Sequence, residues 1–221
     1  MTEIDLLIPI QTNQLNVGAT LSSLNGSENL IIVIPGTGPV DRDGNVKELQ
    51  ANLYKELTDR LTGNGFATLR YDKPGVGQST GDFNRIGLWD LVETVLGIVN
   101  YFKTSEQYAF KKIILLGHSE GTIIATLASE RIQVNGLILI AGAGSALKSV
   151  MMGQNNHVID EIANKKGLSG FLLNRMITKE KLIKKQANLF DKVNQSDEDF
   201  FKISGQKIQA KWLREHLKID D

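Results

Sequence analysis

From Leu30 to Gly144, short aliphatic runs alternate with stretches of helical period, and few folds accept that pattern. "LIIVIP" (Leu30 to Pro35) has no polar position, so as a strand it has to be covered on both faces. "VKELQANLYKELTDRLTGNG" follows, with Leu49, Leu53, Leu57 and Leu61 four apart, and predicts an amphipathic helix ending at Gly63. "FATLRY" (Phe66 to Tyr71), "KIILLG" (Lys112 to Gly117) and "VNGLILIAGAG" (Val134 to Gly144) repeat the strand signature. "GLWDLVETVLGIVNYF" (Gly87 to Phe102) and "EGTIIATLASERI" (Glu120 to Ile132) repeat the helix. Strand and helix in this order imply parallel βαβ units, hence an α/β fold with helices on both faces of a sheet. Two earlier strands, "IDLLIPI" and "LNVGATLSS", precede the alternation, and "LNGSEN" reads as a turn.

From Ser145 the pattern changes. "SALKSVMMGQ", "HVIDEIANKKG", "FLLNRMITKEKLIKKQANLF" and "FKISGQKIQAKWLREHL" all read as helix, with no buried strand among them. The division is therefore a core over residues 1–144 and a helical cap or lid over residues 145–221. Lys plus Arg and Asp plus Glu both number 25, which leaves no basic footprint for nucleic acid and no polybasic membrane signal. No apolar run approaches the ~18 residues of a membrane span, and the opening "MTEIDLLIPIQTNQ" lacks a basic leader. The expected location is the cytoplasm. With no cysteine, disulfides, thiolate metal sites and cysteine nucleophiles drop out. The three histidines and the carboxylates show no metal-ligand spacing, so neither metal nor cofactor is expected.

"GHSEG" fits G-x-S-x-G between a strand and a helix. The pattern has a physical reason: a serine on a sharp turn needs near-bare residues two positions either side, here Gly117 and Gly121. The helix behind it points its positive dipole end at the hydroxyl. Ser119 is the candidate nucleophile. Acyl transfer also needs two amide donors for the oxyanion, one from the residue after the nucleophile, Glu120, and one from an earlier loop. "IPGTGPVDRDGN" follows the third strand, and its Gly36, Thr37 and Gly38 bring backbone close, with the Thr37 amide as candidate donor. A phosphate-cradling loop is the competing reading, but Asp41 breaks G-x-G-x-x-G and no P-loop lysine follows. In "RYDKPGVGQSTGDF", Asp72 reads as a carboxylate that braces its loop.

"GTGPVDRDGN", "RYDKPGVGQSTGDF" and "GHSEG", in that order, resemble the α/β-hydrolase superfamily, and within it bacterial serine-esterase-like hydrolases. Pro74 stands where that pattern usually has Arg. The resemblance covers Leu15 to Gly144. It implies a mostly parallel sheet with flanking helices and a C-terminal helical cap, with Ser119 as nucleophile and the Thr37 and Glu120 amides as oxyanion hole. Gly36, Gly38 and His118 fall to the substrate side, and the partner is a small-molecule ester.

The family's acid and histidine follow later strands, and no such text follows Gly144. His118 adjoins Ser119 and reads as a pocket wall, His157 as a cap residue and His216 as a surface residue of a late helix. Asp160, Asp191, Asp197, Asp199, Asp220 and Asp221 follow no strand. The expectation is that the last core strands are missing, which leaves an exposed sheet edge and an uncovered apolar face and leads to self-association or marginal solubility. Two functional readings stand: a carboxylic ester hydrolase acting through an acyl-enzyme, and a catalytically incomplete α/β-hydrolase-like fragment or binding protein.

Overall fold

The protein is described here by a computed structural model covering residues 1–151, 153, 178–203 and 205–219. It divides into two units, Met1–Gly142 and Ala143–Asp221.

In the first unit, β1 (Thr2–Ile10) and β2 (Leu15–Ser23) form an antiparallel hairpin, paired from Thr2 with Ser23 to Ile10 with Leu15. β3 (Asn29–Ile34) is the aliphatic run, and β4 (Ala67–Tyr71), β5 (Lys112–His118) and β6 (Gly136–Ile140) follow. The six strands lie in the order β1-β2-β4-β3-β5-β6. β4 is antiparallel to β2, and all pairings from β4 to β6 are parallel. The sheet is therefore mostly parallel, as the alternation predicts.

The helices are the crossovers: α1 (Leu53–Gly63) joins β3 to β4, α2 (Leu88–Thr104) joins β4 to β5, and α3 (Glu120–Ser129) joins β5 to β6. The chain steps from β3 one way to β4 and then back past β3 to β5. Right-handed crossovers consequently put α1 on one face and α2 and α3 on the other. Ile31 and Val33 of β3 pack with Tyr54 of α1 and Leu116 of β5. The strand order reverses between β3 and β5, and the carboxyl ends at such a reversal are where open α/β sheets hold ligands.

Three expectations need correction. Residues 46–52 are not helical. Asn52 sits in the left-handed region at φ 50°, where its amide donates to the Asn45 side chain at 2.8 Å. That link turns the chain before the helix begins, and leaves Leu49 and Leu53 at 62 % and 48 % exposure. The buried face of α1 is Tyr54, Thr58 and Thr62, with Leu57 and Leu61 half-buried beside it against the core. Secondly, β6 is not covered on both faces as the alternation implies; it bears the uncovered apolar face expected of a sheet that stops at a sixth strand. Successive strand side chains point to opposite faces, yet Leu137, Ile138, Leu139 and Ile140 are all between 38 % and 51 % exposed.

The third correction lies in the second unit, which is not all helix. α4 (Lys179–Asn194) is followed by a hairpin, β7 (Phe200–Ile203) with β8 (Gln206–Gln209), and then by α5 (Ala210–Ile219). Gly205, at φ 82°, supplies the tight turn that a helical reading of "FKISGQKIQ" overlooks. Phe190, Val193, Ala210, Leu213 and Leu217 form this unit's core. His216 is 2 % exposed, with Nδ1 against the Trp212 carbonyl at 2.9 Å, so it is no surface residue. No described helix is long and apolar enough to cross a membrane.

Candidate active site

Ser119 is the single residue between the end of β5 and the start of α3, held at φ 55° and ψ −117°. A side chain rarely adopts that conformation, and such strain costs on the order of 1–3 kcal/mol. Neighbours fix it. The Ser119 amide donates to the Ile140 carbonyl at 2.9 Å, and the Ser119 carbonyl accepts from the Thr122 amide at 3.0 Å and the Thr122 hydroxyl at 2.7 Å. Gly117 and Gly121 let the turn close: a Cβ on Gly117 would strike the Gly121 carbonyl, and one on Gly121 would strike the Ile34 carbonyl at the end of β3.

Gly36, two residues beyond β3, lies against this turn. A Cβ there would come within 3.3 Å of the Ser119 Cβ and 3.4 Å of His118 Nδ1. Both sides of Gly36 are gripped. Its N–H donates to the Tyr54 hydroxyl at 2.7 Å, and that hydroxyl also meets His118 Nδ1 at 3.0 Å. Its carbonyl accepts from Lys73 Nζ, which also donates to Glu120 Oε2 at 2.9 Å. Lys73 and Glu120 are almost wholly enclosed, with side chains 1 % and 3 % exposed. Burial pushes the Tyr54 phenol above its ordinary value, and the Glu120 charge adds to that against the lowering effect of the Gly36 N–H. Burial, with Glu120 again contributing, raises the Tyr71 phenol as well. Both phenols stay neutral donors and acceptors.

The rest of the loop explains its own letters. Asp41 Oδ1 accepts from the Asp43 and Asn45 amides at 3.0 and 2.8 Å. Arg42 grips Asp72 through Nε at 3.1 Å and Nη2 at 2.7 Å, and its amide donates to the same carboxylate at 2.8 Å. Asp43 accepts from Arg70 Nε at 2.7 Å, and Arg70 reaches Glu3 at 3.0 Å. Asp72 thus braces its loop, as read from sequence, and ties it to the loop after β3. A polar cleft of about 510 Å³ opens here, and its arginines are already paired with its carboxylates.

The structure accordingly brings Gly36, Gly117, His118, Ser119, Glu120 and Gly121 together. Thr37 is the exposed residue following Gly36, and Gly38, at φ 96°, faces open space. Among the described residues none hydrogen-bonds to Ser119 Oγ. His118, the sole histidine of residues 1–142, has Nδ1 engaged by Tyr54. His157, Asp160, Asp220 and Asp221 lie outside the described residues, whereas Asp191, Asp197, Asp199 and His216 belong to the second unit. Tyr54 and Lys73 escaped the sequence reading. The available signals were the four-residue spacing of Tyr54, Thr58 and Thr62, and a lysine placed two residues beyond a wholly buried strand.

Esterase EstD of Thermotoga maritima is 25 % identical over 145 residues, 66 % of this chain and 34 % of that protein. The chain thus matches about a third of that relative's length. Among solved structures, Est1E of Butyrivibrio proteoclasticus, with ferulic acid bound, aligns at a TM-score of 0.57 and 20 % identity over 96 % of this chain and 70 % of that one. The α/β hydrolase GrgF of Penicillium sp. sh18 aligns at 0.61 and 15 % identity over 97 % of this chain and 72 % of that one. The serine aminopeptidase S33 model matches residues 49–219, well over half of the chain. With the mostly parallel sheet and its flanking helices, that match settles the lineage: the chain belongs to the serine aminopeptidase S33 family of α/β-hydrolases.

Proposed function

We propose that this protein is a serine hydrolase acting on carboxylic esters, with Ser119 as the nucleophile. The observation that carries the reading is the strained Ser119 turn with the Gly36 backbone against it. Such a turn lifts a hydroxyl above a sheet edge and sets it between two amide-bearing segments. Ser119 Oγ attacks the ester carbonyl, its proton passes to a general base, and the Thr37 and Glu120 amides take the oxyanion. Loss of the alcohol leaves an acyl-enzyme, which water then hydrolyses. The esterase name of EstD and the ferulic acid in Est1E support a carboxylic acyl group. The protein works in the cytoplasm.

A second reading rests on one observation: the described residues set no base on Ser119 Oγ. Under it the site is incomplete and serves binding alone. Intact mass after a fluorophosphonate probe, with Ser119→Ala as control, separates the two. One adduct, absent from the variant, is the expected result. A folded wild type that takes no adduct would establish the second reading.

A further inference from the structure

The Ser119 site contains a buried charge that the proposed chemistry does not use. Lys73 lies two residues beyond β4 with its ammonium enclosed, a costly placement: burying an ion costs several kcal/mol, and apolar filling of similar volume is often as stable. Its two acceptors are informative. One is the Gly36 carbonyl, the other the Glu120 carboxylate. The Gly36 carbonyl and the Thr37 N–H belong to one peptide plane, trans like every other described peptide, so they point in opposite directions. A cation on the carbonyl side therefore fixes where the Thr37 N–H aims, and polarises it as a donor. The second acceptor is the side chain of the residue whose amide would be the other oxyanion donor. Tyr54 holds the remaining side of Gly36, and its hydroxyl leads to His118. One glycine is thereby tied to both residues flanking Ser119.

We propose that Lys73 is a positioning residue that locks the Thr37 and Glu120 amides into one oxyanion hole, with Tyr54 closing the other side of the clamp. This rests on the reading of Ser119 as nucleophile. Lys73 is not the base in this scheme, because its ammonium is bound to Gly36 and Glu120 and has no hydrogen bond to Ser119 Oγ.

The test compares wild type, Lys73→Met, Lys73→Arg, Tyr54→Phe and the charge-free pair Lys73→Met/Glu120→Gln, all checked for fold by circular dichroism. With p-nitrophenyl acetate, Lys73→Met should lower kcat by about 10²–10³-fold, the cost of a lost oxyanion donor. KM and the pH profile should stay in place. The charge-free pair should regain thermal stability without regaining kcat, while Tyr54→Phe should show a smaller fall in kcat. An unchanged kcat in Lys73→Met, or a kcat restored in the charge-free pair, would overturn the clamp. A pH profile flattened in Lys73→Met would make Lys73 the base and overturn it too. Amide NMR gives a reading that needs no turnover: Lys73→Met or the charge-free pair should shift the Thr37 resonance and speed its exchange. If Thr37 does not move, the inference fails even in an active enzyme. If the wild type takes no fluorophosphonate, the Ser119 reading fails on its own, and the Thr37 resonance still judges the clamp.

Discussion

Residues 1–142 and residues 143–221 fill their interiors differently. The first unit has Arg70, Asp72, Lys73 and Glu120 nearly out of solvent, all near the carboxyl ends of its strands. The second packs Phe190, Val193, Leu213 and Leu217 together and, among the described residues, keeps most of its charges outside. Desolvated charge is an inefficient way to gain stability. It is an effective way to dictate geometry, because each buried ion accepts few arrangements of its partners. The contrast therefore marks which end of which unit has its backbone specified in detail.

Substitutions can break or sharpen that contrast. Ser119→Ala should remove ester turnover by a factor on the order of 10⁶ while the fold stays intact. Ser119→Gly should abolish turnover too, and raise the melting temperature by relieving a φ of 55°. Asp72→Ala removes a buried carboxylate, strips the Arg42 side chain (10 % exposed) of its main partner and should cost about 3–5 kcal/mol in urea denaturation. A cost below about 1 kcal/mol would put this network on a level with surface pairs and dissolve the contrast. Leu213→Ala, a simple cavity, should cost about 2–5 kcal/mol.

Each unit holds one tryptophan, Trp89 in the first and Trp212 in the second. Single-tryptophan variants can therefore assign each loss. Asp72→Ala should shift the Trp89 transition and Leu213→Ala the Trp212 transition. Equal shifts of both reporters by both variants would erase the distinction. The raised phenols of Tyr54 and Tyr71 set a pH dependence. Their protonated forms are favoured by folding, so the stability they support is whole below pH 10.0, their ordinary value, and falls as pH rises beyond it. Absorbance titration should show Tyr71 ionising only with unfolding and Tyr54 ionising above its ordinary value. At the small end, Lys55→Ala breaks an exposed pair with Asp59 and should move stability by only about 0.3–0.5 kcal/mol.

The sheet was legible because β3 and β5 are aliphatic enough to admit one environment, and because "GHSEG" and "GTGPVDRDGN" carry their spacing locally. What escaped was non-local or polar. Lys73 reaches its acceptors across 37 and 47 positions of sequence, a pairing that no local pattern announces. The face of α1 that packs inward centres on Tyr54 and two threonines, with Leu57 and Leu61 half-buried beside them, so the leucine spacing found the helix but missed the middle of its inner face. The hairpin at Phe200–Gln209 is rich in Lys and Gln and alternates over only four residues per strand, too short to outweigh the helical period beside it.

One bond of the Ser119 turn reaches outward. Its amide is held by Ile140, the last residue of the outermost strand. Sheet margins are where protein structure opens first and most often. The proton on the Ser119 nitrogen is therefore a clock for the margin: it should exchange with deuterated solvent each time β6 frays, at a rate set by that strand rather than by the buried interior. Whatever steadies the margin, whether further chain, another molecule or a cooler solution, would lengthen the fraction of time the hydroxyl is held ready.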